Sequence, residues 1–190
     1  MDDMFIEGQT FKNLDYTQNF LSKGEYESCR FINCDFSSSD LIDREFAKCR
    51  FVNCNLSLVK LNKTAFRDVQ FKECKMLGLR FEDCNQFGLA FGFEKCQLKH
   101  STFYKTKLQK TQFKESQLDD VDFTESNLTQ AVFQQCDLTR AVFERTNLEK
   151  ADLRTASNYS INPVINRIKK AKFSLEGIVG LLDKYDISIE

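Results

Sequence analysis

Eight cysteines and one histidine are the side chains in this sequence best suited to bind a metal, form disulfides or attack a substrate. Cys29 and Cys34, and then Cys49 and Cys54, sit five residues apart, a spacing that is not the C-x-x-C of a zinc or redox site. His100 is alone, with neither a second imidazole nor a nucleophile near it in sequence. No glycine-rich nucleotide loop and no H-E-x-x-H is present. The most concentrated charge is acidic: Glu115, Asp119, Asp120, Asp122 and Glu125 against Lys114, a net of −4. Just before it, Lys95, Lys99, Lys105, Lys107 and Lys110 against Glu94 give +4. Carboxylates gathered in this way are either an ordinary solvated surface of mixed charge or a contact for a basic macromolecule, and not a catalytic site, because no nucleophile, base and orienting group can be assembled around them.

What must position these groups is a repeat. From Phe93 to Leu153 every fifth residue is Phe or Leu, thirteen in succession. Two places before each stands a small or modest side chain such as Cys96, Ser101, Thr106 or Ala131, with Phe91 the exception. Period five matches neither a helix at 3.6 nor a strand at 2.0, so it is read as a repeat architecture. Counting back in fives from Phe81 reaches Tyr26, with weaker members at Leu21, Tyr16 and Phe11. Phe81 and Phe93 are twelve residues apart, so two extra residues fall within NQFGLAFG, 85–92. Gly88 and Gly92 suit a bulge or short loop there, with Phe87 at its centre as a candidate partner contact.

A higher period of twenty is also present. Phe11, Phe31, Phe51 and Phe71 form one column, and Phe93, Phe113 and Phe133 another. Four pentads per coil predict a square solenoid with about 4.8 Å between coils, on the order of 35 Å long. All eight cysteines fall at the inward position two before a centre, as small buried hydrophobes with reduced thiols. Ser and Thr at that position fill the coil. Arg44 occupies the same inward slot without an evident reason, whereas Arg30 and Arg50 share an outward column and are read as solvated.

The pentads ADLRT, SNLTQ, CDLTR and TNLEK, with Phe forms such as CRFVN and VDFTE, resemble the pentapeptide-repeat pattern A(D/N)LXX over roughly 26–156. The resemblance implies an all-β, right-handed quadrilateral parallel β-helix and no enzymatic activity or cofactor. A subset of that family, the quinolone-resistance (Qnr) proteins and a mycobacterial relative, is dimeric and acts on DNA gyrase. The tail 161–190 looks like the C-terminal segment of Qnr-like members, and INPVINRI is similar to the immunity protein of a gyrase-poisoning microcin. The resemblance therefore implies DNA gyrase or topoisomerase IV as the protein partner, met by the acidic residues as a mimic of DNA. A protein-interaction scaffold without a topoisomerase role is the alternative.

Three segments are expected: an irregular first coil at 1–25, the repeat at 26–156 with its frame break at 85–92, and a helical tail at 157–190. Asn162-Pro163 reads as a helix N-cap and first position, placing Val164, Ile165 and Ile168 on the last coil. Ser174 would cap a second helix with a stripe of Leu175, Ile178, Leu181 and Leu182, and Ile187 and Ile189 alternate as a strand. The tail would seal the open end of the solenoid and, as in the gyrase-acting relatives, pair two copies through Ile178, Leu181, Leu182, Ile187 and Ile189. A net charge of −1 offers no global field for nucleic acid or membranes. No signal peptide is visible and no apolar run reaches the roughly 20 residues of a membrane span, so a cytoplasmic location is expected.

Overall fold

The computed structural model describes residues 4–188. The chain coils into a parallel β-solenoid. One face is a seven-stranded sheet running from Thr10–Lys12 to Val132–Gln134, and the face before it is a four-stranded sheet from Met4–Glu7 to Ala65–Arg67. Isolated parallel bridges such as Asp40↔Lys60 and Asn127↔Asn147 hold the remaining pairs in register.

Most pentads turn their corner at the second residue after the centre, which takes the left-handed conformation. Asn33, Asn53, His100 and Asp120 have φ of 53°, 52°, 59° and 55°. That conformation costs a non-glycine residue roughly 1–2 kcal/mol. It is offset by aiming the amide at the next coil: Asn33 N donates to Val52 O at 3.0 Å and His100 N to Asp119 O at 3.1 Å.

Inside, the centres stack. Phe11, Phe31, Phe51, Phe71, Phe93, Phe113 and Phe133 form one unbroken column with ring centroids 4.6–5.5 Å apart. The two columns legible in the sequence are therefore one, joined by the register Phe71↔Phe93. Phe81, Phe103, Phe123 and Phe143 form a second column, and Phe113 meets Phe123 edge-on at 6.0 Å and 83°. Edge-to-face contact between columns and offset stacking within them satisfy the ring quadrupoles together.

The inward slot has a second use. Its side chain donates to the carbonyl of a pentad centre one coil back: Thr64 Oγ1 to Leu41 O at 2.7 Å, Ser101 Oγ to Met76 O at 2.9 Å, Thr146 Oγ1 to Phe123 O at 2.9 Å. Thiols make the weaker equivalent, Cys49 Sγ to Tyr26 O at 3.2 Å and Cys54 Sγ to Phe31 O at 3.4 Å. Arg44 follows the same rule. Its Nε donates to Leu21 O at 2.9 Å, Nη1 donates to Ile42 O at 3.0 Å, and Asp40 lies 3.6 Å away. Burial lowers the Arg44 pKa and Asp40 opposes that shift.

All eight cysteines are buried and unpaired. Thiol reagents are expected to label the native protein slowly and the denatured protein fully. Fast native labelling of several cysteines would overturn the inward placement. Burial raises Cys49 and Cys136 to about 12, and Tyr26 likewise to about 12. In the unfolded chain these groups ionise near their ordinary values, about 8.5 for thiols and 10 for tyrosine. Stability is thus fully present below about pH 8.5 and declines as pH rises toward 12. A denaturation midpoint that stays level from pH 8 to 11 would contradict this.

The ends differ from the sequence expectation. The first coil pairs regularly from Met4, with Met4↔Gly24 through Glu7↔Glu27 and Asp15↔Asp35, and is irregular only at 17–23. At the other end the coil continues past 156, with Arg167 bridged to Asn147 and Lys172 to Asp152. No helix starts at Asn162-Pro163. Asn162 Oδ1 accepts Val164 N at 3.0 Å in a local turn, and Val164 and Ile165 are exposed. Asn166 takes the inward slot instead, donating to Phe143 O at 2.8 Å and accepting from Thr146 N at 2.8 Å. Ile168 does pack against the core. The tail's helical part is 3-10, at Gly177–Leu181 and Asp183–Tyr185, with Ser174 Oγ accepting Gly177 N at 3.0 Å. Ile187 is not in a strand, and Ile189 lies outside the described residues.

Candidate interaction surface

The interruption at 85–92 is built from short local bonds. Asn85 N donates to Thr64 O at 2.9 Å, which ends the regular pairing of that coil. Asn85 Oδ1 then accepts Phe87 N at 3.0 Å, and Gly88 turns at φ +67°. Pairing resumes where Ala90 N donates to Phe66 O at 2.9 Å. The two additional residues push the chain outward, and Phe87 is left 80% exposed. Inside, Phe91 fills the space that a pentad centre would have occupied, against Phe81 at 5.3 Å and Phe66 at 6.4 Å. That is why Phe91 departs from the small-residue pattern. Gly92 passes so close to Gln70 that a Cβ there would lie 2.5 Å from Gln70 Oε1.

The acidic residues are not gathered on one face. Consecutive pentads lie on consecutive sides of the coil, so Glu115, Asp119, Asp120, Asp122 and Glu125 wind around it. Their spatial neighbours are twenty residues away, and for four of the five these include a cation. Lys95 lies 3.7 Å from Glu115 and Lys99 3.5 Å from Asp119. Asp120 is bracketed by His100 Nδ1 at 3.6 Å and by a two-pronged contact from Arg140 at 2.6 and 2.7 Å. Glu125 lies between Lys105 at 3.4 Å and Arg145 at 3.1 Å. Arg140 and Arg145 hold the carboxyls of Asp120 and Glu125 below the usual carboxylate range. Asp122 Oδ1 accepts Thr124 N at 2.8 Å in its own turn. The basic and acidic coils are thus rungs of one ladder rather than two opposed patches.

A column of carboxylates does form elsewhere. Glu25 pairs with Glu45 in register, and Glu7 with Glu27, on the four-stranded face that the 85–92 loop interrupts. Lys48 lies 2.8 Å from Glu27, and Arg67 pairs with Glu45. The period of twenty, applied to outward positions, would have found this column.

Among the described residues no three metal-ligating side chains are gathered, and no helix is long and apolar enough to cross a membrane. One depression of about 410 Å³ is lined by Val132, Gln134, Asp152, Arg154 and Thr155, and Asp152 is tied to Arg154 at 2.7 Å.

A family profile described as the pentapeptide repeat region matches residues 25–92 and 80–153. The chain belongs to the pentapeptide-repeat family. No curated protein matches it. Among solved structures it is similar to two trypsin-treated variants of QnrB1, a plasmid-mediated fluoroquinolone resistance protein. One has a TM-score of 0.71 at 16% identity, covering 98% of this chain and 92% of that one. The other has a TM-score of 0.64 at 15% identity, covering 98% and 100%. This pentapeptide-repeat protein thus shares the solenoid fold with QnrB1 at low sequence identity.

Of the four described tail residues expected at a dimer interface, two are only partly accessible and two are exposed. Leu181 packs against the core, Leu182 is half-buried, and Ile178 and Ile187 are exposed.

Proposed function

We propose that this pentapeptide-repeat protein is a non-catalytic, cytoplasmic, protein-binding rod whose partner is DNA gyrase or topoisomerase IV, which it protects from a quinolone or toxin. The observation that carries protein binding is Phe87, a large apolar ring held out at the interruption of an otherwise regular surface. Exposed aromatics of this kind anchor interfaces. The fold shared with QnrB1 supports the choice of partner. In this reading the contact is made by the 85–92 loop with the Glu25 and Glu45 column beside it, and two copies join through the tail. The acidic coil is a weaker candidate for mimicry of DNA, because four of its five carboxylates lie beside cations of the neighbouring coils.

A gyrase supercoiling assay with and without a quinolone tests this. Wild type is expected to protect the enzyme. Phe87→Ala is expected to protect at least tenfold less well at unchanged stability. The triple variant Asp119→Asn, Asp120→Asn, Asp122→Asn is expected to fold and still protect. Loss of protection in the triple variant with retention in Phe87→Ala would move the contact to the acidic coil. Absence of any gyrase binding at low salt would end the topoisomerase reading. It would leave the scaffold alternative, which the alternation of charge along the rod favours.

A further inference from the structure

Of the nine arginines in the sequence, seven have a carboxylate within ion-pair distance among the described residues. The two that do not are Arg30 and Arg50, and they are neighbours. They stand directly opposite each other on adjacent strands, both exposed, on the outer face of the seven-stranded sheet. Like charges placed opposite each other destabilise a sheet, so the free protein holds an unfavourable pair that an anionic partner would relieve. Beside them, two residues along each strand, Ile32 and Val52 form a second registered pair, apolar and half-buried. In the column of Ile32 and Val52, the carboxylate of Glu94 is taken by Lys72 at 3.4 Å and Lys114 at 3.6 Å.

We propose that Arg30, Arg50, Ile32 and Val52 form a docking site for a protein segment that presents carboxylates beside apolar side chains. The proposal rests on the reading of the chain as a protein-binding rod and gives that rod a second surface, on the sheet next to the one the loop interrupts. Planar guanidinium forks suit carboxylates, which they engage through two parallel hydrogen bonds. Partly exposed apolar residues next to arginine suit the centre of an interface, where apolar area and arginine are enriched. Nucleic acid fits less well. Specific binders commonly neutralise about 6–10 phosphates, whereas this strip offers few cations, and the Glu25 and Glu45 column on the adjoining sheet repels a polyanion.

The test uses a fluorescein-labelled peptide of alternating Glu and Val, read by anisotropy with the full chain at low salt. The peptide is expected to bind, and to weaken as salt rises. Arg30→Gln with Arg50→Gln is expected to lose at least tenfold in affinity while melting no lower than wild type, since a repulsive pair has been removed. Arg30→Lys with Arg50→Lys keeps the charge but not the fork and is expected to bind several-fold more weakly than wild type. Lys169→Gln with Lys170→Gln, at the far end of the rod, is expected to bind as wild type does. The proposal is overturned if the peptide does not bind, if the glutamine double variant binds equally well, or if a Gln/Val peptide does. Tighter binding of a single-stranded oligonucleotide than of the peptide overturns it as well. No topoisomerase is present in this experiment, so its outcome is separate from that of the supercoiling assay.

Discussion

Phe113→Ala is expected to lower the stability of the protein by about 3–5 kcal/mol, the usual range for a deleted core phenylalanine. The ring is fully buried, stacked between Phe93 at 5.3 Å and Phe133 at 4.9 Å, and touched edge-on by Phe103 at 6.1 Å and Phe123 at 6.0 Å. The space it leaves cannot close. The strand carrying it, Gln112–Lys114, is bonded to strands on both sides in fixed register, so neither neighbouring coil can move inward without breaking its own ladder. Each coil is also the template for the next, so the loss should appear as a shift of the whole transition rather than as local fraying. Phe123→Ala should behave alike. Phe87→Ala, which removes an equal ring from the exposed loop, should change stability by no more than about 0.5 kcal/mol. Denaturant melts of the three variants are the measurement. A Phe113→Ala midpoint close to wild type would contradict an interior column.

The period of five made the interior legible, because each inward position is filled by the same few residue types. Outward positions carry no such restriction, and there reading along the chain misleads. The acidic coil looked like a patch because its members are close in sequence. In the structure sequence neighbours diverge around the coil, while Asp120 and Arg140, twenty apart, meet at 2.6 Å. Arg44 looked misplaced while the inward slot was treated as a question of size. Its other requirement is a donor aimed at a carbonyl one coil back, which a guanidinium meets as Thr64 does. The helix expected at Asn162-Pro163 failed for a local reason. An asparagine side chain accepting the amide two residues on is common to an Asx turn and a helix N-cap. What decided between them was non-local: Arg167 finds Asn147 and Asn166 finds Phe143, and both pairings continue the solenoid.

The tail joins two roles that separate substitutions should divide. The 3-10 segment Gly177–Leu181 lies tightly on the end of the rod. Ile161 N donates to Gly180 O at 2.8 Å, and a Cβ at Gly180 would fall 2.0 Å from the backbone oxygen of Tyr159. Leu181 packs on the core from this position, while Ile178 and Ile187 remain 47% and 57% exposed. Gly180→Ala must therefore displace the segment, and Leu181→Glu would put a charge against apolar side chains. Each is expected to cost about 1–3 kcal/mol, in the range for overpacking and for an unpaired polar group at a packed site. Ile178→Glu with Ile187→Glu touches only the outer side of the tail, so the melting midpoint of the isolated rod should hardly move. If that outer side joins two copies, as proposed, this pair should convert a dimer to a monomer in light scattering at micromolar concentration, with the β-sheet signal intact. Apolar exposure of this extent next to a chain end is a common mark of an interface, and two-fold dimers are the commonest assemblies. A wild-type monomer at that concentration ends the dimer proposal. A Leu181→Glu protein that melts like wild type ends the sealing role, because the end of the Phe and Leu columns would then be stable without its cover.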